Sequence, residues 1–171
     1  DVGDKNILLG VNAGYNLDGS GGTYNASSNV YIGYQSGDLA TEGLKNTAVG
    51  AESGRELVAG SQNVFLGHYA GNGGNTDSGT FLGEYTTTAG GTTNETVIGN
   101  GAIGKGSHTV VLGDDRVTDI YMSEDVGATL HTGNVEPGTD NNSNLGSATK
   151  RWANIHSADL QLSNEGTKGN D

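Results

Sequence analysis

The sequence predicts an all-β fold: a short-repeat β-solenoid, or β-roll, assembled as a homotrimer, with a small non-repetitive β region at its C-terminal end. Three observations predict it. A short motif recurs seven times, its closing glycines 14 to 23 residues apart. The motif is built from aliphatic residues and glycine with hardly any helix-forming run, and helical repeats need about twice this length. The whole chain, with 31 Gly, one Pro, no Cys, one Trp and 32% hydrophobic residues among 171, is too poor in large apolar side chains for an ordinary globular core.

The repeats come in order as "NILLG" closing at Gly10, "NVYIG" at Gly33, "NTAVG" at Gly50 and "NVFLG" at Gly67. The Asn is then lost, and the series continues as "GTFLG" to Gly83, "ETVIG" to Gly99 and "TVVLG" to Gly113. In the first four copies a second glycine follows four residues later, at Gly14, Gly37, Gly54 and Gly71. The unit is Asn-x-x-Φ-Gly-x-x-[Ala/Ser]-Gly, with Φ an Ile, Leu or Val. Low hydrophobicity with a net charge of -12 would otherwise suggest disorder, but the regular spacing of the apolar positions argues against it.

Side chains alternate along a strand. The expectation is that the two flanking aliphatics, such as Val64 and Leu66 or Val110 and Leu112, point into the coil, with the closing Gly turning the chain where a Cβ would clash. The Asn is expected to cap the preceding turn or stack as an amide ladder along the axis. On this phase the middle residues, Leu8, Tyr31, Ala48, Phe65, Phe81, Val97 and Val111, face outward. A column of outward apolar side chains on so polar a chain needs a cover, and the simplest cover is the same column on identical chains. Tyr31, Phe65, Phe81, Val97 and Val111 are thus expected at an inter-chain interface, in a shaft of roughly 34 Å at about 4.8 Å per rung.

Residues 1–113 therefore read as the solenoid, about seven coils. Residues 114–143 read as an irregular connector of short strands and turns, and 144–171 as a C-terminal plug. In the last segment Trp152 sits with Ile155, Leu160 and Leu162. Trp152 and Ile155 are expected to anchor inter-chain packing in a terminator that covers the last rung. The opening "DVGDKN" and the closing "TKGND" read as cuts through a longer protein.

The copies "NVYIGYQSG", "NTAVGAESG" and "NVFLGHYAG" resemble two families, the heads of trimeric autotransporter adhesins and the glycine-rich shafts of bacteriophage tail fibres. The segment Leu145-Gly146-Ser147-x-x-x-Arg151-Trp152-x-x-Ile155-x-Ser157 is similar to one common near the C-termini of tail-fibre proteins. The resemblance covers about 20 residues there and tips the balance towards the tail fibre. It implies a virion component outside the cell, with other tail proteins and a host-surface glycan or protein as partners. The alternative owner is a bacterial cell surface.

The chemistry classes are thinly represented. "TVIGNGAIGKGSHTVVLG" holds Gly99-x-Gly101-x-x-Gly104 and Gly104-Lys105, near-matches to nucleotide-binding turns. It leaves no room for the helix whose N-terminus would hold phosphate, and Gly106 stands where a Ser or Thr metal ligand belongs. His68, His108, His131 and His156 share no metal-ligand spacing. The pairs Asp114-Asp115 and Glu124-Asp125 are adjacent, which points them to opposite faces of a strand and suits turns better than a glycan-cleaving couple. No cofactor, metal or catalytic activity is expected, with Asp18 in the loop "NLDGSGGTYN" the one weak candidate cation ligand. Twenty acidic against eight basic side chains disfavour nucleic acid and anionic membranes. Loops such as residues 71–79 are expected to display receptor contacts, and Tyr15, Tyr34, Tyr69 and Tyr85, close behind the repeat glycines, are the candidates for stacking on a host glycan.

Overall fold

The computed structural model describes residues 5–17, 26–125, 127–138 and 144–159. Each repeat forms one strand of three residues: β1 (Ile7–Leu9), β2 (Val30–Ile32), β3 (Thr47–Val49), β4 (Val64–Leu66), β6 (Thr80–Leu82), β8 (Thr96–Ile98) and β9 (Val110–Leu112). These stack in sequence order as one seven-stranded parallel sheet. The register runs straight through the middle residues, Leu8 to Tyr31, Ala48, Phe65, Phe81, Val97 and Val111. Two shorter strands, β5 (Thr76–Asp77) and β7 (Thr92–Thr93), pair in parallel as a second ladder. No helix is present among the described residues, and the chain winds as a β-solenoid of about five turns.

The phase of the alternation is the reverse of the expectation. Tyr31, Ala48, Phe65, Phe81 and Val97 are fully buried inside the coil, and Val111 packs against that core at its end. The flanking positions face out, with Ile7, Leu9, Val64, Leu66, Leu82, Val110 and Leu112 all exposed. Tyr31, Phe65, Phe81 and Val97 are therefore core residues, not inter-chain contacts. The Asn that opens each repeat explains the phase. It sits two residues before the middle position and so shares its face, and Asn29, Asn46 and Asn63 are all fully buried.

Those asparagines form a ladder along the axis. The Asn29 N–H donates to Asn6 Oδ1 at 2.9 Å, the Asn46 N–H to Asn29 Oδ1 at 2.9 Å, the Asn63 N–H to Asn46 Oδ1 at 3.0 Å and the Gly79 N–H to Asn63 Oδ1 at 2.7 Å. Each Nδ2 donates in turn to a carbonyl across the coil, Gly43, Gly60 and Thr76 for Asn29, Asn46 and Asn63. One residue type thus satisfies a buried amide and a buried carbonyl on successive rungs from Asn29 to Asn63, which a solenoid this thin could not otherwise shield from water.

Both glycines of the repeat are needed. The closing glycines Gly10, Gly33, Gly50, Gly67 and Gly83 have φ between 134° and 136°, with Gly99 at 123° and Gly113 at 85°. They stack on one another so tightly that a Cβ at Gly50 would lie 2.7 Å from the Gly67 carbonyl carbon. The second glycine makes room for the core. A Cβ at Gly37 would reach the Tyr31 ring at 2.7 Å, one at Gly54 the Phe65 ring at 2.9 Å, and one at Gly71 would overlap Phe65 outright.

The chain divides into two compact units, Asp1–Ile120 and Tyr121–Asp171. The expected strands of the connector are not formed: among the described residues none follows β9. In the second unit Gly146, at φ 87°, opens a tight turn in which the Ser147 N–H donates to the Lys150 carbonyl at 2.8 Å and the Lys150 N–H donates to Ser147 Oγ at 2.9 Å. Trp152 and Ile155 are exposed in the single chain. Leu160 and Leu162 lie outside the described residues.

Candidate functional site

The outward surface of the main sheet carries two columns. One is Ile7, Val30, Thr47, Val64, Thr80, Thr96 and Val110. The other is Leu9, Ile32, Val49, Leu66, Leu82, Ile98 and Leu112. Together they form a ribbon of mostly aliphatic side chains, broken in the first column by Thr47, Thr80 and Thr96, on a chain of mean hydropathy -0.46.

The corner after each strand holds the tyrosines. Tyr15 and Tyr34 are exposed. Tyr69 and Tyr85 come together, their rings stacked at 5.3 Å and 12°, and His68 meets both edge-on at 4.6 and 5.2 Å. Their backbones adopt φ of 54°, and the residues at the same place in earlier coils, Asn12, Gln35 and Glu52, lie between 51° and 58°, so the corner itself aims these side chains outward. The Glu52 carboxylate, hydrogen-bonded to the Tyr69 hydroxyl, raises its pKa.

The glycine-rich turn of residues 99–106 does hold an anion, and the anion is the chain's own. Glu95 replaces the ladder Asn and is fully buried. Its Oε1 accepts the Gly106 N–H at 2.9 Å, and its Oε2 accepts the Thr88 and Thr92 hydroxyls at 2.9 Å each and the Ala89 N–H at 3.3 Å. Burial alone would raise its pKa, but these bonds outweigh it and hold the carboxyl below its ordinary value. Gly104 is obligatory because a Cβ there would fall on the Glu95 carboxylate. Sequence spacing could not reveal this, since the partner of the turn lies one strand back in the chain.

Other candidates disperse. Asp114 is bonded by Arg116, whose Nε lies 2.6 Å from Oδ2 and keeps the carboxyl below its usual range. Asp125 accepts from Ser123 Oγ and the Gly127 N–H within its own turn. His108, His131 and His156 are exposed and lie in separate segments. Among the described residues no three His, Asp or Glu side chains converge, and no helix is long and apolar enough to cross a membrane. Asp18 lies outside the described residues. The segment 71–79 is partly built into the coil: Asn75 Oδ1 accepts the Val58 and Ala59 N–H groups, and Thr76–Asp77 forms β5.

Fold and surface together define an all-β solenoid with a polar, hydrogen-bonded edge and one aliphatic face. No protein family, curated protein or solved structure matches the chain.

Proposed function

We propose that the chain is part of a homotrimeric fibre of a bacteriophage tail, giving rigid reach towards a host surface and adhesion to it without catalysis. The aliphatic face of the solenoid carries this reading. Exposed apolar ribbons of this extent on a soluble chain need a cover. A cover must also match a side-chain column repeating at about 4.8 Å, and a second and third copy of the same sheet supply that period automatically. The "LGSATKRWANIHS" segment favours a tail fibre over a bacterial surface adhesin.

Sedimentation tests the assembly. The wild-type chain is expected to run as a trimer at micromolar concentration, and Leu66→Asp, which places a charge on the face without touching the core, to run as a monomer. A wild-type chain that is a stable, soluble monomer overturns the reading. Binding of labelled trimer to host cells, competed by unlabelled trimer, tests adhesion.

A further inference from the structure

Two side-chain columns run side by side along the corner that follows the main sheet. The positions after Gly67, Gly83 and Gly99 are His68, Glu84 and Asn100, and the second positions after Gly50, Gly67, Gly83 and Gly99 are Glu52, Tyr69, Tyr85 and Gly101. The first column is a polar rail: His68 Nδ1 lies 3.1 Å from Glu84 Oε1, and Asn100 Nδ2 donates to Glu84 Oε2 at 3.2 Å. The second is the aromatic stack. Its lower end is closed by Glu52, which holds the Tyr69 hydroxyl. Its upper end is open, because Gly101 has no side chain, and a Cβ placed there would meet nothing nearer than Asp114 Oδ2 at 3.6 Å. Tyr85 is half exposed, with Tyr69 stacked on one ring face and no side chain at Gly101 on the other, and Gly101 also borders a cleft of about 570 Å³ lined by Ile103, Lys105, Asp114 and Arg116.

We propose that this corner is a carbohydrate site for a neutral pyranose-containing glycan, with one sugar ring lying on Tyr85 in the space Gly101 leaves. The inference rests on the adhesive reading above and names its receptor chemistry. An aromatic face takes the C–H face of a pyranose, while Glu84, Asn100 and Arg116 offer acceptors and donors to the hydroxyls around its rim. Glu84, Asp114 and Asp115 outnumber Lys105 and Arg116 around the site, and on a chain of net charge -12 this balance disfavours uronic and sialic acids against a neutral sugar.

Two variants test the site. Tyr85→Ala removes the platform. Gly101→Tyr keeps Tyr85 and covers its free face, and it is compatible with the fold because Asn12, Gln35, Glu52, Tyr69 and Tyr85 occupy the same column at φ of 51° to 58°. The assembled protein is titrated calorimetrically with neutral oligosaccharides of glucose, galactose and N-acetylglucosamine. The expected result is saturable binding of at least one of them, weakened about tenfold or more by both variants, unchanged in Glu42→Ala at an exposed position outside the corner, with the thermal midpoints preserved. Binding that survives Gly101→Tyr, or no binding across the set, overturns the proposal. In the second case a host-cell adhesion assay separates the two readings: adhesion that persists rejects this site alone, and its absence rejects the adhesive function too.

Discussion

Replacing Phe65 by Ala probes the inward column at its most heavily packed point. The Phe65 ring is fully buried and stacks on Phe81 at 5.3 Å and 19°. Below it in register is Ala48, and its two edges lie against Gly54 and Gly71. None of these neighbours can move into the space the ring would leave. Ala48 is already a single methyl, and the glycines are fixed by a backbone hydrogen-bonded to the next coil, Gly54 N–H to the Ala70 carbonyl and Gly71 N–H to the Thr86 carbonyl. A cavity that does not collapse puts the cost at the upper end of the range for Phe→Ala, about 4–5 kcal/mol per chain, part of it the lost ring pair.

For a domain of this size that corresponds to a fall of roughly 10–20 °C in thermal midpoint. The measurement is a melt followed by circular dichroism at fixed protein concentration, since the proposed assembly would make the midpoint concentration-dependent. A shift of less than about 3 °C would refute the reasoning, because it would mean that the ring points out of the coil.

Three further outcomes are expected. Glu95→Gln should cost about 1.5–3 kcal/mol near neutral pH, because its amide nitrogen must face the Gly106 N–H or the Thr88, Thr92 and Ala89 donors. The folded pKa is depressed, so the stabilisation from the wild-type carboxylate is complete above the ordinary value of 4.5 and is lost as pH falls through the folded value. Urea midpoints measured from neutral to acid pH should therefore fall for the wild type and converge on those of the variant; parallel curves would contradict this. Asn46→Ala leaves the buried Asn63 N–H and Gly60 carbonyl without their side-chain partner and should destabilise by about 2–4 kcal/mol in urea unfolding. Tyr31→Phe should be neutral or stabilising by about 1 kcal/mol, since the Tyr31 hydroxyl is buried with no bond of good geometry among the described residues. Burial pushes its pKa up to about 12 despite the nearby Asn46 amide, and a loss of more than 1 kcal/mol in the variant would reveal a partner.

The period, the strand positions and the glycine spacing were all legible in the sequence because each rung repeats the same local problem. The phase of the strand was not, and the reason is specific. Φ-x-Φ flanks such as Val64 and Leu66 look like a core when only alternation is considered, yet the Asn two residues before the middle position carried the answer. An amide that ladders along the axis must be inside, and Asn63 then places Phe65 inside with it. Variation in size was a second signal. Tyr31, Ala48 and Phe65 differ widely in volume, as expected of a column whose large members borrow room from small neighbours and from Gly37, Gly54 and Gly71. The β5–β7 ladder and the Glu95 cradle were not legible, because Thr76, Thr92 and Glu95 depart from the motif and their partners are set by the coil path. The tyrosine stack was half legible: the sequence singled out Tyr69 and Tyr85 but could not separate them from Tyr15 and Tyr34.

The two outward columns are not equivalent, and the difference bears on where the proposed trimer would make its contact. The column of Ile7, Val30, Thr47, Val64, Thr80, Thr96 and Val110 admits three threonines. Its content is what strand propensity alone would favour on a half-wet surface. The column of Leu9, Ile32, Val49, Leu66, Leu82, Ile98 and Leu112 has no polar member and includes four leucines, which strand propensity does not favour over threonine. In the proposed trimer, burial against another chain would account for that bias, since each leucine withdrawn from water contributes about 1.5–3 kcal/mol. The axis of the trimer should then run along the leucine column, with the threonine-bearing column at its margin. Leu66→Asp is expected to dissociate the assembly and Val64→Asp only to weaken it, as read by sedimentation at matched concentration. Equal effects of the two substitutions would place the contact across the whole sheet face, and a larger effect of Val64→Asp would place it on the opposite edge.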